Sequence, residues 1–539
     1  MKTGSIAGLG LSYIKADATL VKQSTPRRKL FKLHSWVGFH LALIMSLILA
    51  TGTIATIANE IDWIVHKELR VTPLETRVAW QKMTDAIKAY SPESTILTIE
   101  QLEGDYLANR ARVKNTDGSQ RYIYVDQWTG QVTGATGTLT VQRFFRDLHR
   151  YMFMPNVIGL PIVTSMAFIL GISLYTGLKT SRNWKTLMTR IRITKGARVM
   201  VGDAHKAFGL WAVWFLVLMI ITSVWYLAEF GAALGGKRFE PSRPNVSVEQ
   251  LESYGATIKS PSTNDIISAA KEAYPELVVT TISFPARANQ AITVLGDNGN
   301  PILRSRANRV FLDPQTLEPL KVQRSGNIGW IAWLNEIADP LHFGFFGGLI
   351  TKLIWFIFGL ALTSLSVTGV WLTWQRSKTK AISKAQFATM PVLIIALLFG
   401  YFWWYQRYTP VEKPVATNVL KEISNASISV EPALWLNENQ QRTGIVRFHL
   451  TTKGGRPNLK KSLVTLTNNV SEPVGESKPK LEILSELSVI RASFNQDEIK
   501  DAKRLTLTLE LNTGQSFDYS WRLESINSEE LATVKALNP

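Results

Sequence analysis

Five long apolar runs, at residues 34–58, 157–178, 205–230, 343–374 and 388–405, constrain this chain more than any other feature. Each approaches or exceeds the roughly 20 residues that a helix needs to cross a hydrocarbon core. Tryptophan and tyrosine gather at their ends, for instance at Trp36, Trp63, Tyr175, Trp225 and Trp374, where interfacial aromatics belong. The expected core is therefore a membrane α-helical bundle, with the lipid bilayer as its first partner. The first run begins too late and continues too long for a cleavable leader, so it reads as an uncleaved anchor.

The charge orients the bundle. The net formal charge is +18, and about that much excess sits in three short flanks of the apolar runs. Segment 1–33 carries Arg27, Arg28, Lys29 and Lys32 among its cations. Segment 179–203 carries Arg182, Lys185, Arg190, Arg192 and Arg198, and segment 375–386 carries Arg376, Lys378, Lys380 and Lys384. Basic flanks mark the cytoplasmic side, so the charge needs no nucleic-acid partner. A multi-pass protein of the bacterial inner membrane is expected, with its N-terminus cytoplasmic and its C-terminus periplasmic.

The resulting division is a basic N-terminus (1–33), span 1 (34–58), an outer module (59–148), span 2 (149–178) and a basic cytoplasmic loop (179–204). Span 3 (205–230), a second outer module (231–341), span 4 (342–374), a cytoplasmic loop (375–387), span 5 (388–405) and an outer C-terminal domain (406–539) follow. Both modules read as α+β: a helical stretch, then alternating strand-like runs. The turn Asp126-x-x-Thr129-Gly130 is a hairpin signal, and Asp313-x-x-Thr316-Leu317 is its altered counterpart. The C-terminal domain alternates as a mostly-β fold, plausibly a sandwich.

Span–module–span occurs twice, and the histidines mark its corners. His34-x-x-x-Gly38 opens span 1, and His205-x-x-x-Gly209 opens span 3. Leu148-His149 precedes span 2, and Leu341-His342 precedes span 4. Spans 2 and 4 both end in Thr-Gly, at Thr176-Gly177 and Thr368-Gly369. Four of the seven histidines thus occupy equivalent corners. In a bundle, His34 would face His205 near the cytoplasm, and His149 would face His342 near the periplasm.

Facing imidazoles on neighbouring helices suit the two axial positions of a b-type haem. Gly38 and Gly209, one turn away, would let a flat macrocycle approach the backbone. Ordinary interfacial polarity is the competing reading of these histidines, and metal ligation without haem is a third. His40 lies about 240° round the helix from His34, and it stands as the alternative inner ligand. Arg146 and Arg150, beside His149, could pair with haem propionates. Asp147 and Asp339 read as helix-end residues or as partners of the neighbouring histidines. His66 and His449 have no counterparts in the repeat and read as surface residues. The chain has no cysteine, which excludes disulfides, iron–sulfur clusters and covalent c-type haem.

Together these motifs, with the module stretches around Asp126 and Asp313, make residues 28–380 resemble the PepSY-associated transmembrane helix family. That resemblance implies two PepSY-like periplasmic modules and about two b-type haems. It implies transmembrane electron transfer of the ferric-siderophore-reductase type, with a ferric chelate or siderophore as substrate and release of Fe(II). No G-x-G-x-x-G follows a strand, so no nicotinamide or flavin domain is evident. The electron donor is then separate: a quinol, a flavoprotein or reduced flavin. The rival reading is non-enzymatic, a membrane-anchored PepSY binding module or a transport accessory for iron uptake.

Overall fold

The computed structural model describes residues 26–376 except 93, 116, 117 and 288, then 395, 397–405, most of 416–523, and 534–535. Three of its helices are long and apolar enough to cross a membrane: Asn156–Thr180 (α6), Val213–Leu234 (α9) and Gly348–Arg376 (α13). The pair Pro26–His40 (α1) and Ala42–Thr56 (α2), whose axes turn by 67°, is long and apolar enough when the two are taken together. Residues 388–394 and 396 of the fifth expected span lie outside the described residues, and 395 and 397–405 are helical.

The first and third apolar runs break at matching places. α1 gives way to α2 at Leu41, seven residues after His34. Ala197–Trp211 (α8) gives way to α9 at Ala212, seven residues after His205. The second and fourth runs have helical forerunners: Val141–Tyr151 (α5) precedes α6, and Trp330–Phe343 (α12) precedes α13. Left-handed backbone makes both joints, at Met152 and Phe153 in one and at Gly344 in the other. All four corner histidines therefore sit on the shorter helices α1, α5, α8 and α12, and not within the long spans.

Outside the bundle, the segments between spans build one sheet. The first supplies Trp80–Tyr90 (α4), then strands Thr95–Glu100 (β1), Asn109–Lys114 (β2), Gln120–Val125 (β3) and Val132–Gly137 (β4). The second supplies a short strand Thr257–Lys259 (β5), the helix Thr263–Ala273 (α11), then Val278–Ser283 (β6), Ile292–Asp297 (β7), Asn308–Leu312 (β8) and Pro319–Gln323 (β9). Antiparallel pairing of β1 with β6, through Ile99 opposite Ile282, fuses the two sets into an eight-stranded sheet, β4-β3-β2-β1-β6-β7-β8-β9. Two half-exposed edges thereby cover each other.

α4 and α11 lie on one face, where alternation buries Ile87, Ile99, Ala111 and Ile123 in one half and Ile266, Ile282, Val294 and Val310 in the other. The Thr84 and Thr263 hydroxyls meet at 2.9 Å where these helices touch. Both hairpin turns form alike. Asp126 Oδ1 accepts from Trp128 N–H at 2.8 Å, and Asp313 Oδ1 accepts from Gln315 N–H at 2.8 Å. Leu317 takes the left-handed conformation, φ +61°, that Gly130 takes at φ +78° in the first turn.

The other face of the sheet is tied to the bundle by buried charge. Glu336 of α12 is fully buried and receives Arg304 (Nε–Oε2 2.9 Å) and Arg306 (Nε–Oε2 3.0 Å) from the turn before β8. Arg304 also pairs with Asp339, one turn further along α12. Across the sheet, Lys352 at the start of α13 pairs with Glu60 (3.1 Å) on the helix Ala58–Val65 (α3). The C-terminal domain has two antiparallel sheets sharing an apolar core around Val430, Phe448, Val464, Leu507 and Trp521. Its segment Gly455–Pro457 pairs with β5, so the domain is clamped onto the second set.

Candidate functional site

The two expected histidine pairs come together. The rings of His34 (α1) and His205 (α8) have centroids 6.4 Å apart, with their planes 80° to one another. The rings of His149 (α5) and His342 (α12) have centroids 6.2 Å apart, with their planes at 39°. The second pair lies toward the eight-stranded sheet, because the helix carrying His342 also carries Glu336 and Asp339.

Local chemistry places each ring. α5 starts at Thr140, whose side chain accepts from Arg143 N–H at 3.2 Å. The buried Asp62 carboxylate accepts from the next two free donors, Val141 N–H at 2.7 Å and Gln142 N–H at 3.0 Å. On α8, Asp203 binds the Arg192 guanidinium in a fork, at 2.7 and 2.9 Å, which folds the preceding turn against the helix. The Arg192 hydrogen bond holds the Asp203 carboxyl below the usual carboxylate range.

Each Nδ1 has a partner. His34 Nδ1 lies 3.1 Å from the Ser173 carbonyl and 3.0 Å from Thr176 Oγ1. His205 Nδ1 lies 2.9 Å from Thr368 Oγ1, and His342 Nδ1 lies 2.8 Å from Thr222 Oγ1. His149 Nδ1 lies 2.8 Å from the Ile48 carbonyl. A carbonyl only accepts. Each threonine has one hydroxyl hydrogen, and each donates it to the carbonyl four residues back: Thr176 to Ile172 (2.6 Å), Thr368 to Ser364 (2.6 Å) and Thr222 to Leu218 (2.9 Å). The carbonyls make Nδ1 of His34 and His149 an N–H donor, and His205 and His342 donate in the same way in the tautomer that leaves Thr368 and Thr222 bonded to their own helices. The ligating lone pair of each neutral ring is then on Nε2.

Glycines admit the rings. A Cβ at Gly177 would touch His34 Cε1, and one at Gly369 would touch His205 Cε1, both at 3.5 Å. In both Thr-Gly motifs the hydroxyl meets the imidazole and the glycine beside it leaves the ring just out of contact. At the sheet-side pair the close approach is Gly52, where a Cβ would fall 2.6 Å from His149 Cε1.

The His34–His205 pair opens on a cavity of 560 Å³. This lies within the roughly 300–1,000 Å³ of sites for small molecules and cofactors. Gly38 and Gly209 line it, with open space where a Gly38 side chain would stand. Met45, Leu49, Leu216 and Leu362 form its apolar depth, and Arg192, Arg198 and Lys206 its polar mouth.

The remaining expected residues fall as follows. Arg146 and Arg150 share α5 with Arg143. Burial lowers the affinity of Arg146 for its proton, and the charges of Arg150 and Arg143 lower it further. The Arg150 guanidinium lies 5.2 Å over the Tyr151 ring. Asp147 and Asp339 turn to other groups: Asp147 accepts from Trp404 Nε1 at 2.8 Å, and Asp339 from the Tyr226 hydroxyl at 2.7 Å. His66 Nε2 is 3.8 Å from Asp62, away from both pairs. The side chain of His40, the alternative ligand, lies outside the described residues.

Two coaxial metal–imidazole bonds of about 2.0 Å put ring centroids roughly 6.3 Å apart. Both pairs stand at that spacing, and at His34–His205 the adjoining cavity gives room for a group held between the two imidazoles. Sequence reasoning missed Asp62, Thr222, Gly52 and the Ile48 carbonyl. The repeat held a signal for one of them, since Thr222 follows His205 by the 17 residues that separate Thr51 from His34. A comparison with curated proteins finds no match. A family model described as the PepSY-associated TM region matches residues 31–376, well over half of the chain, and the chain belongs to that family.

Proposed function

We propose that the chain is a haem-b oxidoreductase of the bacterial inner membrane that reduces a ferric chelate, of siderophore type, in the periplasm. The observation that carries this reading is the pair of histidine couples at two depths, each ring fixed by its Nδ1 and spaced for two axial bonds.

On this reading His34 and His205 hold one haem in the 560 Å³ cavity, and His149 and His342 hold a second. Bound haem supplies one-electron chemistry at iron, which the side chains of this protein lack. The threonines and the Ile48 carbonyl keep Nε2 of each histidine aimed at its metal. The apolar walls exclude water from the first site. Arg146 and Arg150 offer guanidinium groups to the carboxylates of the second haem. The chelate is substrate: one electron turns its Fe(III) into Fe(II), which hard oxygen donors hold less tightly.

The same reading takes the two helix-plus-four-strand sets as duplicated PepSY modules and the helices as a duplicated pair of spans. The basic flanks face the cytoplasm, which puts His34 and His205 on the cytoplasmic side and the sheet in the periplasm. The donor, a quinol, a flavoprotein or reduced flavin, meets the cytoplasmic end.

A visible spectrum of the detergent-purified protein, before and after dithionite, with a pyridine haemochrome count, tests the proposal. Sharp reduced bands of low-spin haem b at about two per chain are expected. A colourless protein from haem-replete cells overturns it and leaves the non-enzymatic binding module.

A further inference from the structure

The two couples are not copies of each other. The His34 and His205 planes cross at 80°, and those of His149 and His342 at 39°. The crossing angle is built in. Each Nδ1–H points at an acceptor that cannot turn, because the hydroxyls of Thr176, Thr368 and Thr222 are spent on their own helices. The His149 ring also lies close against the backbone at Gly52, where a Cβ would stand 2.6 Å from its Cε1.

Ring orientation matters to a bound iron. The π orbital of an axial imidazole mixes with the iron dπ orbital perpendicular to the ring plane. Crossed rings act equally on the two dπ orbitals and leave them nearly degenerate. Rings nearer to parallel act on one and split the pair. We propose that Thr368 with Thr176, and Thr222 with the Ile48 carbonyl, are positioning groups that make the two haem sites electronically unequal: a near-degenerate ferric centre at His34–His205 and a split one at His149–His342. This rests on the haem reading above and adds to it which residues distinguish the sites.

Low-temperature EPR of the oxidised full-length protein reads the difference directly. Crossed ligands give one strongly anisotropic signal at very low field, and the 39° pair gives an ordinary three-feature rhombic signal. The expected wild-type spectrum contains one of each. Thr368→Val keeps the shape and removes the acceptor, and is expected to shift or abolish the low-field signal alone. Thr222→Val is expected to do the same to the rhombic signal alone. Thr368→Ser, which restores a hydroxyl, should bring the low-field signal back.

Two haems with the same type of signal overturn the inference and leave the haem reading standing. So do valine variants whose signals stay unmoved. A protein without haem overturns both, which the haemochrome count reports separately. The wild-type spectrum decides by itself should a valine variant not accumulate.

Discussion

Oγ1 of Thr222 stands 2.8 Å from Nδ1 of His342, and its hydrogen is committed to the Leu218 carbonyl. A buried hydroxyl in a largely apolar span is thereby explained. It satisfies its own donor within the helix, as a polar group in lipid must, and offers its lone pair to a buried imidazole. The same arrangement recurs at Thr176 and Thr368.

On the haem reading proposed above, the pairing of the histidines implies site-selective loss, and the haem outcomes of the variants below rest on that same reading. His149→Ala or His342→Ala is expected to take the haem count from about two to about one, and His34→Ala or His205→Ala to remove the other. Haemochrome counts on the four variants check this, and a variant that keeps both haems breaks the assigned pairing.

Gly52 and Gly38 should behave in opposite ways. A methyl at Gly52 meets the His149 ring at 2.6–3.3 Å, so Gly52→Ala should displace the imidazole, lower the melting temperature and release the sheet-side haem. Gly38→Ala meets open space and should stabilise the helix by up to about 1 kcal/mol. Its methyl projects toward the cavity, so it should weaken retention of the other haem. Thermal melts with parallel haem counts separate the two effects.

Asp62 holds the start of the helix that bears His149. Asp62→Ala strips the acceptor from two helix N–H groups and should cost about 1–2 kcal/mol. Haem loss confined to the His149–His342 site, at unchanged content of the other, is the accompanying result. An unshifted melt would show that Thr140 alone caps the helix.

Much of this site was legible in the sequence because the repeat marks it. The corner histidines and the Thr-Gly pairs stand at matching places in two copies, and the structure brings them together in the expected couples. What escaped depends on which helix faces which. Neither Asp62 nor Gly52 is near His149 along the chain, and periodicity within one helix says nothing about the face of another. The breaks at Leu41 and Ala212 follow Gly38 and Gly209 by three residues, but no proline stands there, and a glycine alone does not say that a helix turns. The joining of β1 to β6 escaped for a similar reason: an edge strand read alone does not name its partner.

The charge cluster between sheet and bundle carries a pH dependence. Glu240 faces Arg306, Arg309, Arg243 and Arg304. Burial pushes its carboxyl upward, but the four guanidinium groups outweigh burial and hold it below the usual value. A carboxyl lowered in the folded state stabilises above its unfolded value, about 4.3, and that stabilisation is lost as the pH falls through the folded value. The melting temperature of the wild type should therefore drop on acidification below that range, and Glu240→Gln should flatten the drop. Glu336→Gln is the harsher change, because it leaves Arg304 and Arg306 facing a neutral group in a fully buried position. Breaking such a pair costs roughly 3–5 kcal/mol, so its melt should lie well below that of Glu240→Gln at neutral pH. If both variants melt together with the wild type from neutral to acid pH, the cluster does not fasten the sheet to α12.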